Sequence, residues 1–233
     1  MCQIEINKIY NMDCISGLEK ISDKSIDLVI IDPPYQIETA GHGIYKNINY
    51  TKEIETFNNG FDFQVLNKLC SKMKKINIYI WCSQKQIFPL LNYFLSKKCY
   101  YNLITLHKVN PIPACNNKYL TDTEYCLFFR EKGVKVHGNF HSKFTYYMTS
   151  TNQNKKLKSK YNHPTVKPIE IIQNFIINSS KQKDTVLDCF LGSGTTAVAC
   201  INTDRNFIGF EISKNHFKTA CERIEKARKL VET

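Results

Sequence analysis

The chain predicts an α/β fold: a doubly wound, mostly parallel sheet flanked by helices. Three observations carry that expectation. Short apolar runs alternate with segments of helical periodicity along the 233 residues. One of these runs, Ile26 to Ile31, stops at Asp32-Pro33-Pro34-Tyr35. Another, Val186-Leu187-Asp188-Cys189-Phe190, opens into the glycine turn Leu191-Gly192-Ser193-Gly194 and an Ala-rich helix.

Taken in order, residues 4–10 alternate and read as a strand leading to Asn11-Met12-Asp13, and a short helix is expected over 14–21. The strand 26–31 ends where two successive prolines can donate no ladder hydrogen bond. Residues 36–60 lack periodicity and hold Gly41, Gly43, Gly60 and several asparagines, so a lid loop is expected there. Residues 62–74 read helical, 76–82 as a strand, and Ser83 as the cap of a helix to about 97. Strands follow at 101–109 and 123–130, divided by Asn110-Pro111-Ile112-Pro113. A helix to about 178 follows Pro168, and the final elements are strand 185–190, helix 195–203, strand 206–212 and helix 214–230. Phe217, Cys221, Ile224 and Val231 form an apolar face on the last helix. No internal repeat or second globular unit is visible, so a single domain over 1–233 is expected.

Composition narrows the class. No stretch of eighteen apolar residues exists, so no membrane span is expected, and the first residues carry no secretory pattern. The ten cysteines include no Cys-x-x-Cys pair, which argues against zinc and for a reducing, cytoplasmic compartment. The formal net charge of +11 suits a polyanionic partner. From Arg130 to Lys160 there are eight Lys or Arg against one acid, interleaved with Phe140, Phe144, Tyr146 and Tyr147. Basic groups among aromatics mark a nucleic-acid surface, and Lys143, Lys155, Lys156, Lys158 and Lys160 are the candidate contacts.

The two strand ends carry the chemistry. Asp32 and the Pro33 carbonyl are both acceptors, which together suit an amino group with two hydrogens, while Tyr35 suits a flat partner. An exocyclic amine on a nucleobase meets both demands. At the other end, Gly192 and Gly194 allow close backbone approach to a ligand, and Glu211 stands about twenty residues on, where a ribose would be held. The turn holds no basic residue to neutralise a pyrophosphate, and Asp188 adds negative charge. A nucleoside with a cationic tail fits better than one with phosphates. The two ends can share one crevice if their strands lie side by side where the winding reverses.

Asp32-Pro33-Pro34-Tyr35, then His163-Pro164-Thr165-Val166-Lys167-Pro168, then Asp188-Cys189-Phe190-Leu191-Gly192-Ser193-Gly194, in that order, strongly resemble the circularly permuted β-class of S-adenosylmethionine-dependent amino DNA methyltransferases. The resemblance spans essentially the whole chain and is weakest at 36–60 and 132–158. It implies a seven-stranded sheet whose first strand here is the family's third. It also implies S-adenosyl-L-methionine as cofactor, with Phe190, Gly192, Gly194 and Thr195 around it and Glu211 on the ribose. Asp188 would lie near the methionine end, Asp13 beside the adenine, and Thr165 and Lys167 over the methionine portion. Asp32, Pro33, Pro34 and Tyr35 would be catalytic, with Tyr35 stacking on a base flipped from the duplex. Transfer to the N6 amino group of adenine in double-stranded DNA is the activity implied, with residues 131–161 as the target-recognition insertion. A homodimer and a cognate restriction endonuclease are further partners the resemblance admits without fixing either, in a bacterial or phage-encoded protein. N4-cytosine methylation stays open, since that amine is chemically alike. RNA or protein amino methylation, a non-catalytic DNA-binding module and a nicotinamide dehydrogenase fit the motifs less well. No Pro-Cys dipeptide supplies the nucleophile of carbon-5 cytosine methylation.

Overall fold

The computed structural model describes residues 4–33, 63–111, 117, 119–150 and 167–231. The described strands are β1 (Lys8–Tyr10), β2 (Leu28–Ile31), β3 (Asn77–Cys82), β4 (Tyr100–Lys108), β5 (Thr123–Arg130), β6 (Tyr146–Thr149), β7 (Thr185–Asp188) and β8 (Asn206–Phe210). The described helices are α1 (Cys14–Glu19), α2 (Phe63–Lys72), α3 (Gln84–Ser96), α4 (Ile169–Ser179), α5 (Thr195–Asn202) and α6 (Lys214–Val231), with a 3-10 turn at His141–Lys143.

One sheet unites the strands in the order β1-β8-β7-β2-β3-β5-β4-β6. Only the β3–β5 and β5–β4 pairs are antiparallel; the remaining neighbours run parallel. Burial on both faces explains the near-continuous apolar runs. In β2, Val29 and Ile31 join one core layer with Leu66, Leu69, Ile78, Phe94 and Phe129, while Leu28 and Ile30 join the other with Tyr79, Trp81, Phe175, Val186 and Phe207. Helices α1, α2 and α3 cover the first face and α4, α5 and α6 the second.

β2 and β7 are immediate neighbours, with Leu28 opposite Val186 and Val29 opposite Leu187. The chain winds outward from this pair in both directions, so Asp32 and Asp188 emerge together at the central crevice, which meets the condition for the two strand ends to share it. The sheet holds eight strands among the described residues, where the family resemblance implies seven. The extra strand is β6, which pairs parallel with the outer edge of β4, from Thr105 opposite Tyr146 to Lys108 opposite Thr149. It lies inside the segment expected to be a nucleic-acid-reading insertion. Thr149 is buried there, and the Tyr147 ring meets Phe175 edge-on at 6.1 Å. The run Tyr-Tyr-Met-Thr has no polar–apolar alternation, so periodicity gives no sign of it. The lid loop expected at 36–60 lies outside the described residues.

Candidate active site

The glycine turn is built from backbone outward. β7 ends at Asp188, whose buried carboxylate accepts the Phe190 N–H at 3.0 Å and the Thr196 hydroxyl at 2.6 Å. Gly192 and Gly194 both take positive φ, 54° and 84°, a region open to glycine at little cost. A Cβ at Gly194 would also lie 3.0 Å from that of Ala220 on α6. Its lack of a side chain therefore serves the packing of α6 as well as the turn. Arg223, from α6, donates to the Ser193 carbonyl at 2.8 Å, the Ser193 hydroxyl at 2.7 Å and the Thr195 hydroxyl at 3.1 Å, bracing the turn from outside the crevice.

Glu211 follows β8 and is almost fully buried. One carboxylate oxygen accepts the Gly192 N–H at 2.7 Å and the other the Ser213 N–H at 2.8 Å. Asn11 donates to the Glu211 and Ile212 carbonyls at 2.8 and 3.1 Å, tying the end of β1 to the end of β8. Asp13 caps α1 by accepting the Ser16 N–H at 2.9 Å. Phe190 is half-buried beside the first core layer, and Thr195 begins α5.

Burial pushes the Asp188 carboxyl up to about 7, against the opposing effect of its hydrogen bonds from Thr196 and Phe190; the like charges of Asp32 and Glu211 add to the rise. Three carboxylates thus lie closely enough at the central crevice to feel one another. Such a crevice suits a ligand carrying positive charge and a hydroxyl-rich sugar, and disfavours a phosphate. The residues present fit the cofactor that the sequence motifs imply.

The other half of the crevice is built from side-chain charges. β5 runs antiparallel, so its start lies at the same sheet edge as the ends of β2, β3 and β4. Four charged groups meet there. The Lys167 ammonium lies 2.8 Å from an Asp32 carboxylate oxygen and 3.3 Å from Glu124. The second Glu124 oxygen lies 3.0 Å from the Lys108 ammonium. Lys167 is only 7% exposed and also lies over the Trp81 ring at 4.8 Å. Burial alone would raise the Glu124 carboxyl, but the two ammonium groups overcome it and hold the group down at about 2.

Of the residues singled out from sequence, Asp32, Pro33, Asp188, Phe190, Gly192, Gly194, Thr195 and Glu211 all lie on the elements that border this edge. The ammonium of Lys167, expected over the methionine portion, is placed against Asp32. Lys143 is exposed in the 3-10 turn next to Phe144. Pro34, Tyr35, Thr165, Lys155, Lys156, Lys158 and Lys160 lie outside the described residues. Glu124, Lys108, Trp81, Arg223 and Asn11 escape sequence reasoning. Glu124, Lys108 and Trp81 are ordinary strand residues by pattern, and only the strand order brings them to the crevice; Asn11 and Arg223 act on its supporting turns through contacts distant in sequence.

The family model described as DNA methylase, of the N6/N4 methyltransferases, matches residues 26–222. The chain belongs to that family. Among curated relatives, the Type II methyltransferase M1.MboII of Moraxella bovis is 29% identical over 93% of this chain and 96% of its own. The Type II methyltransferase M2.DpnII of Streptococcus pneumoniae is 27% identical, over 93% and 89%. Among solved structures, an M1.HpyAVI–SAM complex superposes with a TM-score of 0.68 at 24% identity, covering 93% of this chain and 98% of that one. The cytosine-N4-specific PvuII DNA methyltransferase superposes with a TM-score of 0.70 at 16% identity, covering 98% and 92%. Both share the fold of this sheet.

Proposed function

We propose that this protein is a site-specific methyltransferase of double-stranded DNA, acting on the N6 amino group of adenine. The observation that carries this reading is the juxtaposition of Asp32 with the Asp188–Glu211 crevice across the adjacent strands β2 and β7. S-adenosyl-L-methionine supplies the methyl group, on a sulfonium centre. Glu211 would accept hydrogen bonds from the ribose hydroxyls through a carboxylate already fixed by two backbone N–H groups, and Asp188 would lie near the cationic end. Gly192, Gly194 and Thr195 shape the close backbone approach, Phe190 borders the cofactor, and Asp13 stands near its adenine.

Asp32 and the Pro33 carbonyl accept the two N–H groups of the target amine. The amine lone pair is otherwise delocalised into the base, and these acceptors favour the tetrahedral geometry it reaches as it attacks. They also stabilise the positive charge that develops on nitrogen. Holding the two reactants in line is the larger part of the task. Pro34 and Tyr35 belong to the same catalytic run, and Tyr35 stacks on the flipped base. Thr165 closes over the methionine portion. The basic-aromatic segment 131–161, with Lys143 and the lysines 155, 156, 158 and 160, contacts phosphates and reads the flanking sequence. The whole chain, 1–233, acts as one domain, with 36–60 as lid, in the cytoplasm of a bacterial or phage-infected cell.

N4-cytosine is the second reading, because that amine is chemically alike and the matching family model spans both N6 and N4 enzymes. Digesting DNA methylated by the protein to nucleosides and identifying the product by mass spectrometry separates the two. N6-methyladenine is expected. N4-methylcytosine would overturn the base assignment and keep the amine chemistry, and methylation of RNA alone would overturn the substrate class.

A further inference from the structure

Lys167 presents a puzzle if Asp32 receives an amine. Its ammonium donates to Asp32 at 2.8 Å, so it occupies acceptor capacity that the target amine needs. It is also a full positive charge beside a nitrogen that turns cationic during transfer. A buried ammonium cannot simply be released into water, because desolvation makes an unpaired charge costly. Glu124 resolves both difficulties. It lies within reach of the same ammonium, at 3.3 Å, and its other oxygen is anchored by Lys108 at 3.0 Å. Together Asp32, Glu124, Lys167 and Lys108 carry two negative and two positive charges.

We propose that Glu124 is a positioning residue for the methyl transfer: it takes up the Lys167 ammonium, freeing an Asp32 oxygen for the target amine and neutralising the lysine while charge builds on nitrogen. Lys108 fixes Glu124 in the place where it can do this. Lys167 thus shifts between two carboxylates that both already touch it, a small movement in which the ammonium stays paired while the amine that turns cationic takes its place on Asp32. Glu124 is held fully ionised by its two lysines throughout the working pH range, so its role does not depend on a proton. At rest Asp32 is guarded by an ammonium that resembles the incoming amine, and Glu124 lowers the cost of displacing it.

The proposal rests on Asp32 as the amine acceptor, and the test separates the two. E124Q keeps the shape and loses the charge. It should lower single-turnover methyl transfer roughly tenfold or more, with cofactor affinity by calorimetry within about twofold of wild type. E124D, which keeps the charge but draws it back, should fall between wild type and E124Q. In a K167M background the further loss from E124Q should shrink to about threefold or less, because Glu124 acts through that lysine. Wild-type rates in both E124Q and E124D, or an undiminished E124Q loss in the K167M background, would overturn the role of Glu124. Loss of cofactor affinity in step with rate would also overturn it, as the mark of a merely structural residue. D32N serves as the control for the underlying reading: an active D32N would remove Asp32 itself, whereas an inactive D32N with a fully active E124Q would remove Glu124 alone.

Discussion

The two halves of the crevice are held by different forces. On the β7–β8 side, carboxylates grip backbone: Asp188 holds the Phe190 N–H, and Glu211 holds the N–H groups of Gly192 and Ser213. On the β2–β3–β5–β4 side, side chains grip side chains, through Lys167 between Asp32 and Glu124. A carboxylate bonded to a turn's own backbone cannot move without dismantling the turn, so the first half is preorganised. Ion pairs can trade partners at little net cost, so the second half can rearrange as a ligand enters. The contrast suits the two tasks proposed for them, binding one invariant cofactor and admitting a base that would first have to leave a duplex.

The sharpest way to break the rigid half is Gly192→Val. A β-branched residue at φ 54° is strained, and its side chain would enter the space of the approaching ligand. Cofactor affinity should fall by roughly a hundredfold or more, and undiminished affinity by calorimetry would move the cofactor away from this turn.

The same half should show a pH signature absent from the other. Asp188 is raised to about 7 in the folded protein, against about 3.9 for an unfolded aspartate. The native state therefore holds this proton more tightly than the unfolded chain. Its contribution to stability is intact below pH about 4 and is lost as pH rises to about 7. Asp188→Asn removes that loss, so the Tm difference between variant and wild type should shift in the variant's favour from pH 5 to pH 8. In the wild type, a cationic ligand prefers the ionised carboxylate, so cofactor affinity should rise with pH by up to about tenfold per unit below pH 7 and level off above it. A Tm difference that is flat with pH would contradict the burial argument.

A smaller effect is expected from Arg223→Ala. Losing three hydrogen bonds that brace the turn from α6 should loosen it without touching a ligand. About tenfold in cofactor affinity and about 1 kcal/mol in stability are expected, measured by calorimetry and denaturant titration, with single-turnover rate at saturating cofactor retained. The smallest concerns the DNA surface. Lys143→Ala should reduce the log–log salt slope of DNA binding by about one, and Ala at 155, 156, 158 and 160 together should flatten it further. An unchanged slope would make these lysines an ordinary solvated run.

Sequence reading reaches the rigid half well and the adaptable half poorly, for a physical reason. Glycines at positive φ, prolines that end a strand and buried apolar runs are local events, so β2, β7, β8 and the turns after them are legible, as is their meeting at the centre of the sheet. Ser83 is likewise legible as the cap of α3, where Gln86 accepts its N–H at 2.9 Å. The Asp32–Lys167–Glu124–Lys108 set is not local. It depends on β5 running against its neighbours, which places a strand's first residues beside other strands' last. Nothing in Thr123-Glu124-Tyr125 marks Glu124 as different from any edge acid. β6 was hidden similarly, since four residues gain strand character only from the β4 edge they join.

The central claim is that one strand end performs the transfer while its neighbour holds the donor. Asp32→Ala, assayed in parallel for single-turnover transfer from tritiated S-adenosyl-L-methionine to DNA and for cofactor binding by calorimetry, tests it most directly. The account predicts a loss of transfer of roughly a thousandfold or more, from removing a charged acceptor at the reacting nitrogen, with cofactor affinity within a few-fold of wild type. Transfer within a few-fold of wild type, or transfer and cofactor binding lost together, would contradict it.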